Sequence, residues 1–294
     1  MPVISPGTAH ALDDLEFSAR SIVESFRSGV HRSPFHGFAA EFSQHRSYRP
    51  GDDLKYLDWK VLARTDRLYT RQFSETTNLS AMLVVDTSAS MNFPEETGTV
   101  VSKFTYGVLV AAALAYLIIE QGDSAGLITM ADGKLVYLPA RGGRAHRRAL
   151  LTMLARLEPR GQWPMDRALV RAGDLLRRRG VIVAVSDFYD ATEDTHRELR
   201  RLRQRGHDVA LLQVMSPQEI QFPFSGESRI EDLETDELRL VDASTAGPGY
   251  RERVSEFLTN CRRQALRDGH DYCFLSTEAP VERALRSYLL RRAS

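Results

Sequence analysis

From Ser80 onward, short apolar runs alternate with longer segments in which apolar residues return every three or four positions. Ala81-Met82-Leu83-Val84-Val85, Ala125-Gly126-Leu127-Ile128-Thr129-Met130 and Val181-Ile182-Val183-Ala184-Val185 carry no regular polar position. A strand covered by helices on both faces has no solvent side, so it reads as a continuous apolar run. A further strand is predicted over 208–214. The intervening spacing predicts helices over 100–120, 144–157, 166–179 and 193–205. Ala131-Asp132-Gly133-Lys134 signals a hairpin turn into a strand over 135–138. Strands alternating with helices imply an α/β fold with a doubly wound, mostly parallel, Rossmann-type sheet.

The alternation breaks between 216 and 247. Ile230–Leu233 and Leu238–Val241 flank Glu234-Thr235-Asp236-Glu237, which predicts an inserted hairpin. A helix over 249–268, a strand over Asp271–Leu275 and a final helix over 280–292 follow. Pro280 is well placed in that helix's first turn. Before Ser80, Leu12, Leu15, Ala19, Ile22, Val23 and Phe26 recur at helical spacing over 11–28, with Gly29 as a stop. Residues 30–60 are rich in His, Arg, Asp, Gly and aromatics and have little periodicity, so they read as irregular. Residues 67–74 alternate as a strand does. The pattern divides the chain in two. Residues 1–78 form a helix and an Arg/Asp/aromatic-rich segment packed on the main domain, and 79–294 form the α/β domain with its hairpin insertion.

Composition mainly excludes. Lys plus Arg and Asp plus Glu are both 39, so the 294 residues carry no net basic field that would mark a dedicated nucleic-acid binder. Cys261 and Cys273 read as reduced, partly buried thiols with no zinc-ligand spacing. The first residues lack a charged segment followed by an apolar run, so no signal peptide is read. The longest apolar stretch, Tyr106 to Ile119, is shorter than the roughly 20 residues a bilayer requires and predicts a helix buried on nearly all sides. A cytoplasmic, soluble protein is expected.

Doubly wound sheets bind ligands beyond the carboxyl ends of their strands, at the topological switch point. Two predicted strands end there in aspartate: Val85-Asp86-Thr87-Ser88-Ala89-Ser90 and Val185-Ser186-Asp187. Two carboxylates in one crevice repel unless a proton or a cation lies between them. Ser88 and Ser90 add hydroxyl oxygens, and an oxygen-only set with few carboxylates suits Mg²⁺, with Mn²⁺ or Ca²⁺ as the other candidates. The competing reading makes Asp86 and Ser88 helix caps. A cap does not require the second aspartate, Asp187.

Asp86-x-Ser88-x-Ser90 with Ser186-Asp187 resembles the metal-ion-dependent adhesion site of von Willebrand factor A domains. Gly37-x-x-x-Glu41-Phe42, Arg46-x-Tyr48-x-Pro50-Gly51-Asp52-Asp53, Asp58-Trp59 and Ala63-Arg64 resemble the domain of unknown function 58 family, which couples such a segment to a von Willebrand A-like domain. The resemblance spans about Leu12 to Arg292. It implies a metal site at Asp86, Ser88, Ser90 and Asp187. It also implies a non-catalytic role as adaptor or partner of a MoxR-type AAA+ ATPase, with an acidic partner side chain received at the metal. Such sites usually take a threonine from a later loop. The loop Arg160-Gly161-Gln162-Trp163-Pro164-Met165-Asp166 has none, so another group or water supplies that ligand, or the ion binds weakly or not at all.

Two further constellations are candidates for metal-independent binding. Arg46, Tyr48, Asp52, Asp53, Asp58 and Trp59 form a recognition surface in one reading and an internal network of ion pairs and aromatics in the other. Residues 141–180 hold eleven arginines against Glu158, Asp166 and Asp174. They suit an acidic partner or a nucleic acid, or are solvated helix faces. Enzyme readings find little support. No Gly-x-Ser-x-Gly elbow accompanies Ser88, no phosphate-binding loop or GxGxxG is present, and the eight histidines form no motif. A metal-dependent phosphoester hydrolase is the enzyme alternative, and the site shows no evident general base or nucleophile for it.

Overall fold

The computed structural model describes residues 6–27, 41–48, 57, 59–65, 67–74, 79–97, 100–131, 133–231, 233 and 238–293. Within them the central strand β3 (Ser80–Val85) sorts its side chains by alternation. Ala81, Leu83 and Val85 face one buried cluster and Met82 and Val84 face another. This is the two-sided burial that the continuous apolar runs predict.

Six strands form the main sheet in the order β10 (Asp271–Ser276), β7 (Asp208–Met215), β6 (Val181–Ser186), β3, β4 (Ser124–Ala131) and β5 (Lys134–Arg141). All pair in parallel except β4 with β5, which closes one edge as an antiparallel hairpin. In sheet order this is 3-2-1-4-5-6, the doubly wound arrangement whose switch point falls between its first and fourth strands. Here those strands are β3 and β6, paired with Val85 opposite Val185.

One face of the sheet is covered by α1 (Pro6–Arg27), α3 (Lys103–Glu120), α4 (Arg144–Leu154) and α9 (Val281–Ala293). The other carries α5 (Met165–Leu175), α6 (Glu193–Gln204) and α8 (Ala243–Arg267). Among the described residues α3 is long and apolar enough to cross a membrane by length and composition, yet 78% of that stretch is buried inside the fold. After β7 come α7 (Pro217–Gln221) and a hairpin of β8 (Glu227–Glu231) and β9 (Leu238–Asp242).

Three of the boundaries that differ from expectation have a visible cause. The first hairpin strand lies at 227–231 rather than 230–233, after a short helix that has too few residues to show a period. Helix α8 begins at Ala243 and carries Pro248 inside it. Its start is set by Asp242, whose carboxylate accepts from Ser244 N and Thr245 Oγ1 and outweighs the stop signal of Pro248. The third is the expected division at 78/79. Helix α1 groups with Leu79–Ser294, and His36–Asn78 is a separate compact unit. The cause is the α1 stripe of Leu12, Leu15, Ala19 and Val23, which is buried in the same cluster as α3 and α9.

In the second unit, β1 (Glu41–Ser47) pairs antiparallel with β2 (Tyr69–Ser74), and α2 (Trp59–Thr65) lies between them in sequence. The strand β1 falls in the segment expected to be irregular. Its sequence, Glu-Phe-Ser-Gln-His-Arg-Ser, has one apolar residue in seven and so no alternation to read.

Candidate functional site

The register of β3 on β6 places the site. With Val85 opposite Val185, Asp86 N donates to Val185 O at 3.0 Å, and the loops after both strands emerge side by side. Asp86 Oδ1 accepts from Ser88 N at 2.7 Å, and Oδ2 accepts from Ser186 Oγ at 2.5 Å. The Ser88 and Ser90 hydroxyls are 3.0 Å apart, and Ser90 Oγ donates to Asp187 Oδ2 at 3.1 Å. Asp86, Ser88, Ser90 and Asp187, the four residues singled out from sequence, therefore lie in one connected group.

The turn after β6 is held open for this. Phe188 has φ 62°, in the left-handed region, which costs a non-glycine residue about 1–3 kcal/mol. The side chains of the two preceding residues offset that cost. Ser186 Oγ accepts from Phe188 N at 2.8 Å, and Asp187 Oδ1 accepts from Tyr189 N at 3.0 Å. The turn leaves Asp187 Oδ2 facing the two serines. From below, Gln213 Nε2 donates to Asp187 O at 2.8 Å.

Sequence reading missed two members. Lys103, wholly buried at the first turn of α3, donates to Asp187 Oδ2 at 2.7 Å and to Glu219 Oε1 at 2.6 Å. Its ammonium also lies 4.9 Å from the centre of the Tyr189 ring. Glu219 caps α7 in a box with Ser216 and turns its second oxygen to Lys103. One signal for Lys103 was in the sequence: a lone cation opening an apolar helix opposes the helix dipole and needs a reason to be there.

The site holds three buried carboxylates, Asp86, Asp187 and Glu219, against one ammonium. Burial, and then the charge of Asp187, push the Asp86 carboxyl up to about 7, against the hydrogen bonds from Ser186 and Ser88. Burial works against the Lys103 charge, but Asp187 and Glu219 outweigh it and raise its pKa.

Does this set fit a divalent ion? Among the described residues no group of three or more His, Cys, Asp or Glu is placed as a metal cage. The donors would be two hydroxyls and two carboxylates. For three of them, the Ser88–Ser90 and Ser90–Asp187 oxygen spacings of 3.0 and 3.1 Å match the roughly 3 Å edge of an octahedron with Mg–O bonds of about 2.1 Å. The excess negative charge is of the sign that a cation neutralises. The set fits a hard divalent ion that keeps water. The loop that lacks threonine is tied here by two backbone hydrogen bonds, Arg160 N to Thr87 O at 2.8 Å and Ala89 N to Gly161 O at 2.9 Å, while its Trp163 and Met165 side chains pack in the cluster that holds Val84 and Phe188. It contributes no side-chain oxygen in place of the threonine.

Tyr48 N donates to Leu68 O at 3.0 Å, Arg46 lies in β1 opposite Thr70, and Trp59 opens α2 with 62% of its surface exposed. Asp52, Asp53 and Asp58 lie outside the described residues. In the arginine-rich segment, Arg147 stacks on Tyr116 at 4.3 Å and pairs with Glu16, and Arg171 stacks on Tyr137 at 4.3 Å. Arg144, Arg148, Arg156, Arg160, Arg167 and Arg177 to Arg179 are exposed.

Comparison with known proteins gives the family. An uncharacterized protein of Mycobacterium tuberculosis, Rv1480, is 30% identical over 269 residues, which is 87% of this chain and 83% of that protein. Among solved structures, BatB of Bacteroides thetaiotaomicron aligns with 73% of this chain and 98% of its own at 14% identity and a TM-score of 0.47. The SpRpn10 VWA domain aligns with 46% of this chain and 75% of its own at 17% identity and a TM-score of 0.35. Residues 44–263 match the family described as Protein of unknown function DUF58, and the chain belongs to that family.

Proposed function

We propose that the chain is a non-catalytic, von Willebrand A-like protein-interaction module whose docking point is the site between β3 and β6. In this reading a divalent ion, Mg²⁺ first and Mn²⁺ or Ca²⁺ as alternatives, is held by Asp86, Ser88, Ser90 and Asp187. The ion supplies an open coordination position for an Asp or Glu side chain of a partner. The chain's own residues do the rest. Ser186 and Ser88 N orient Asp86, Tyr189 N and Gln213 orient Asp187, and Ser90, half-buried where the other three are buried, faces the approach.

The observation that carries the reading is the convergence of two hydroxyls and two carboxylates at the switch point, with more negative charge than Lys103 balances. The family resemblance supports a MoxR-type AAA+ ATPase as the partner, which would place the module in the cytoplasm. The test uses the full chain on a resin and a purified MoxR-type ATPase. We expect retention in Mg²⁺ and loss of retention both in EDTA and with Asp86→Ala. Equal retention in all three would remove the metal from the account.

A second reading rests on the exposed Trp59 ring. In it that ring is a contact point, and binding runs through the 46–64 segment without an ion. Capture that survives EDTA but is lost with Trp59→Ala selects it.

A further inference from the structure

Lys103 carries two penalties. Its ammonium is taken out of water, and it sits at the positive end of the α3 dipole. Two short bonds offset them, one to Asp187 Oδ2 and one to Glu219 Oε1. Asp187 Oδ2 is also the oxygen that accepts from Ser90 Oγ. The same atom thus faces both the serine pair and the ammonium. A cation arriving between Ser88 and Ser90 and the ammonium of Lys103 would need the same oxygen. Glu219 offers Lys103 a second carboxylate, itself fixed by Ser216 N and Oγ.

We propose that Lys103 is the site's built-in competitor for the ion: it neutralises Asp187 when no ion is present and withdraws onto Glu219 when a divalent cation takes Asp187 Oδ2. This rests on the metal reading above. It also predicts the class of ion. A monovalent cation brings no more charge than the ammonium it must displace, so Na⁺ and K⁺ do not enter, whereas a divalent ion gains by the exchange. The cost of moving Lys103 makes the site a weak binder, filled at millimolar ion and tightened when a partner carboxylate completes it.

The test is calorimetric titration of the full chain with MnCl₂. Lys103→Met keeps the length of the side chain and removes the charge. It should bind Mn²⁺ about tenfold or more tightly than the wild type, since a unit charge beside the ligand is gone. Glu219→Gln leaves Lys103 only Asp187 and should weaken binding. This second variant keeps the idea open to refutation if Lys103→Met folds poorly. Arg160→Gln removes an exposed charge on the neighbouring loop without touching the carboxylates, and should change affinity by less than about twofold given solvent screening. A second readout follows the ammonium directly. In lysine-¹⁵N protein the Nζ signal absent from Lys103→Met should shift on addition of Mg²⁺ and not of K⁺. Equal affinity in wild type and Lys103→Met, or an Nζ signal indifferent to Mg²⁺ that does bind, overturns the role of Lys103 and leaves the metal reading standing. Binding by Lys103→Met alone supports the role of Lys103 and contradicts the metal reading for the natural chain. Silence in every variant overturns both.

Discussion

Asp86 is 3% exposed, and its ionised form gives up water beside a second carboxylate, Asp187. Its folded-state pKa of about 7 lies above the value of about 3.9 for an unfolded aspartate. Between those values the folded chain holds a proton that the unfolded chain has lost. The stability Asp86 contributes is therefore fully present below about pH 4 and is lost as the pH rises through about 7. In EDTA, Asp86→Asn should remove that loss. The difference in urea midpoint between variant and wild type should grow from pH 5 to pH 8, in favour of the variant, and a constant difference would contradict the assignment. Lys103 behaves in the opposite sense on truncation. Lys103→Ala strips the cation from two buried carboxylates and should cost about 3–5 kcal/mol in urea unfolding. The two aspartates and two serines were legible because all four lie within five residues of the end of an apolar strand. The other half of the charge network was not. The partners of Lys103 are 84 and 116 residues away, and only the register of the sheet brings them together.

At the scale of elements, the strands over Ser80–Val85 and Val181–Ser186 and the helix Lys103–Glu120 were readable because burial on both faces, or on all sides, leaves no polar period. Elements that are short or sparsely apolar, such as α7, β8 and β1, were missed or shifted because their boundaries come from pairing and caps. Two substitutions test the packing. Gly126 lies where the β4–β5 register shifts, and an added Cβ would stand 2.7 Å from Leu138 O and 2.8 Å from Ala140 N. Gly126→Ala should cost about 1–3 kcal/mol, since backbone cannot yield as a flexible side chain can. Leu114 lies on α3 with no exposed surface, and Leu114→Ala should cost about 2–5 kcal/mol. A melting temperature unchanged in either variant would contradict the packing described.

Among the described residues, the two clusters that flank the main sheet draw their members from the first unit alone. Joining Phe35 to Leu79 through a glycine–serine linker should therefore leave a folded sheet unit that still binds Mn²⁺. Loss of the near-ultraviolet dichroism of that unit would show that the segment is part of its fold. If the shortened chain binds the ion but no longer captures the ATPase, the 46–64 segment carries partner recognition. The whole topology, a 3-2-1-4-5-6 order with two aspartates at its switch point, directs attention to one small volume. The most direct measurement is an anomalous difference map from crystals grown in millimolar MnCl₂. We predict a peak bounded by Ser88 Oγ, Ser90 Oγ and the carboxylates of Asp86 and Asp187. A map with no peak there, while Lys103 still holds Asp187, would contradict the account.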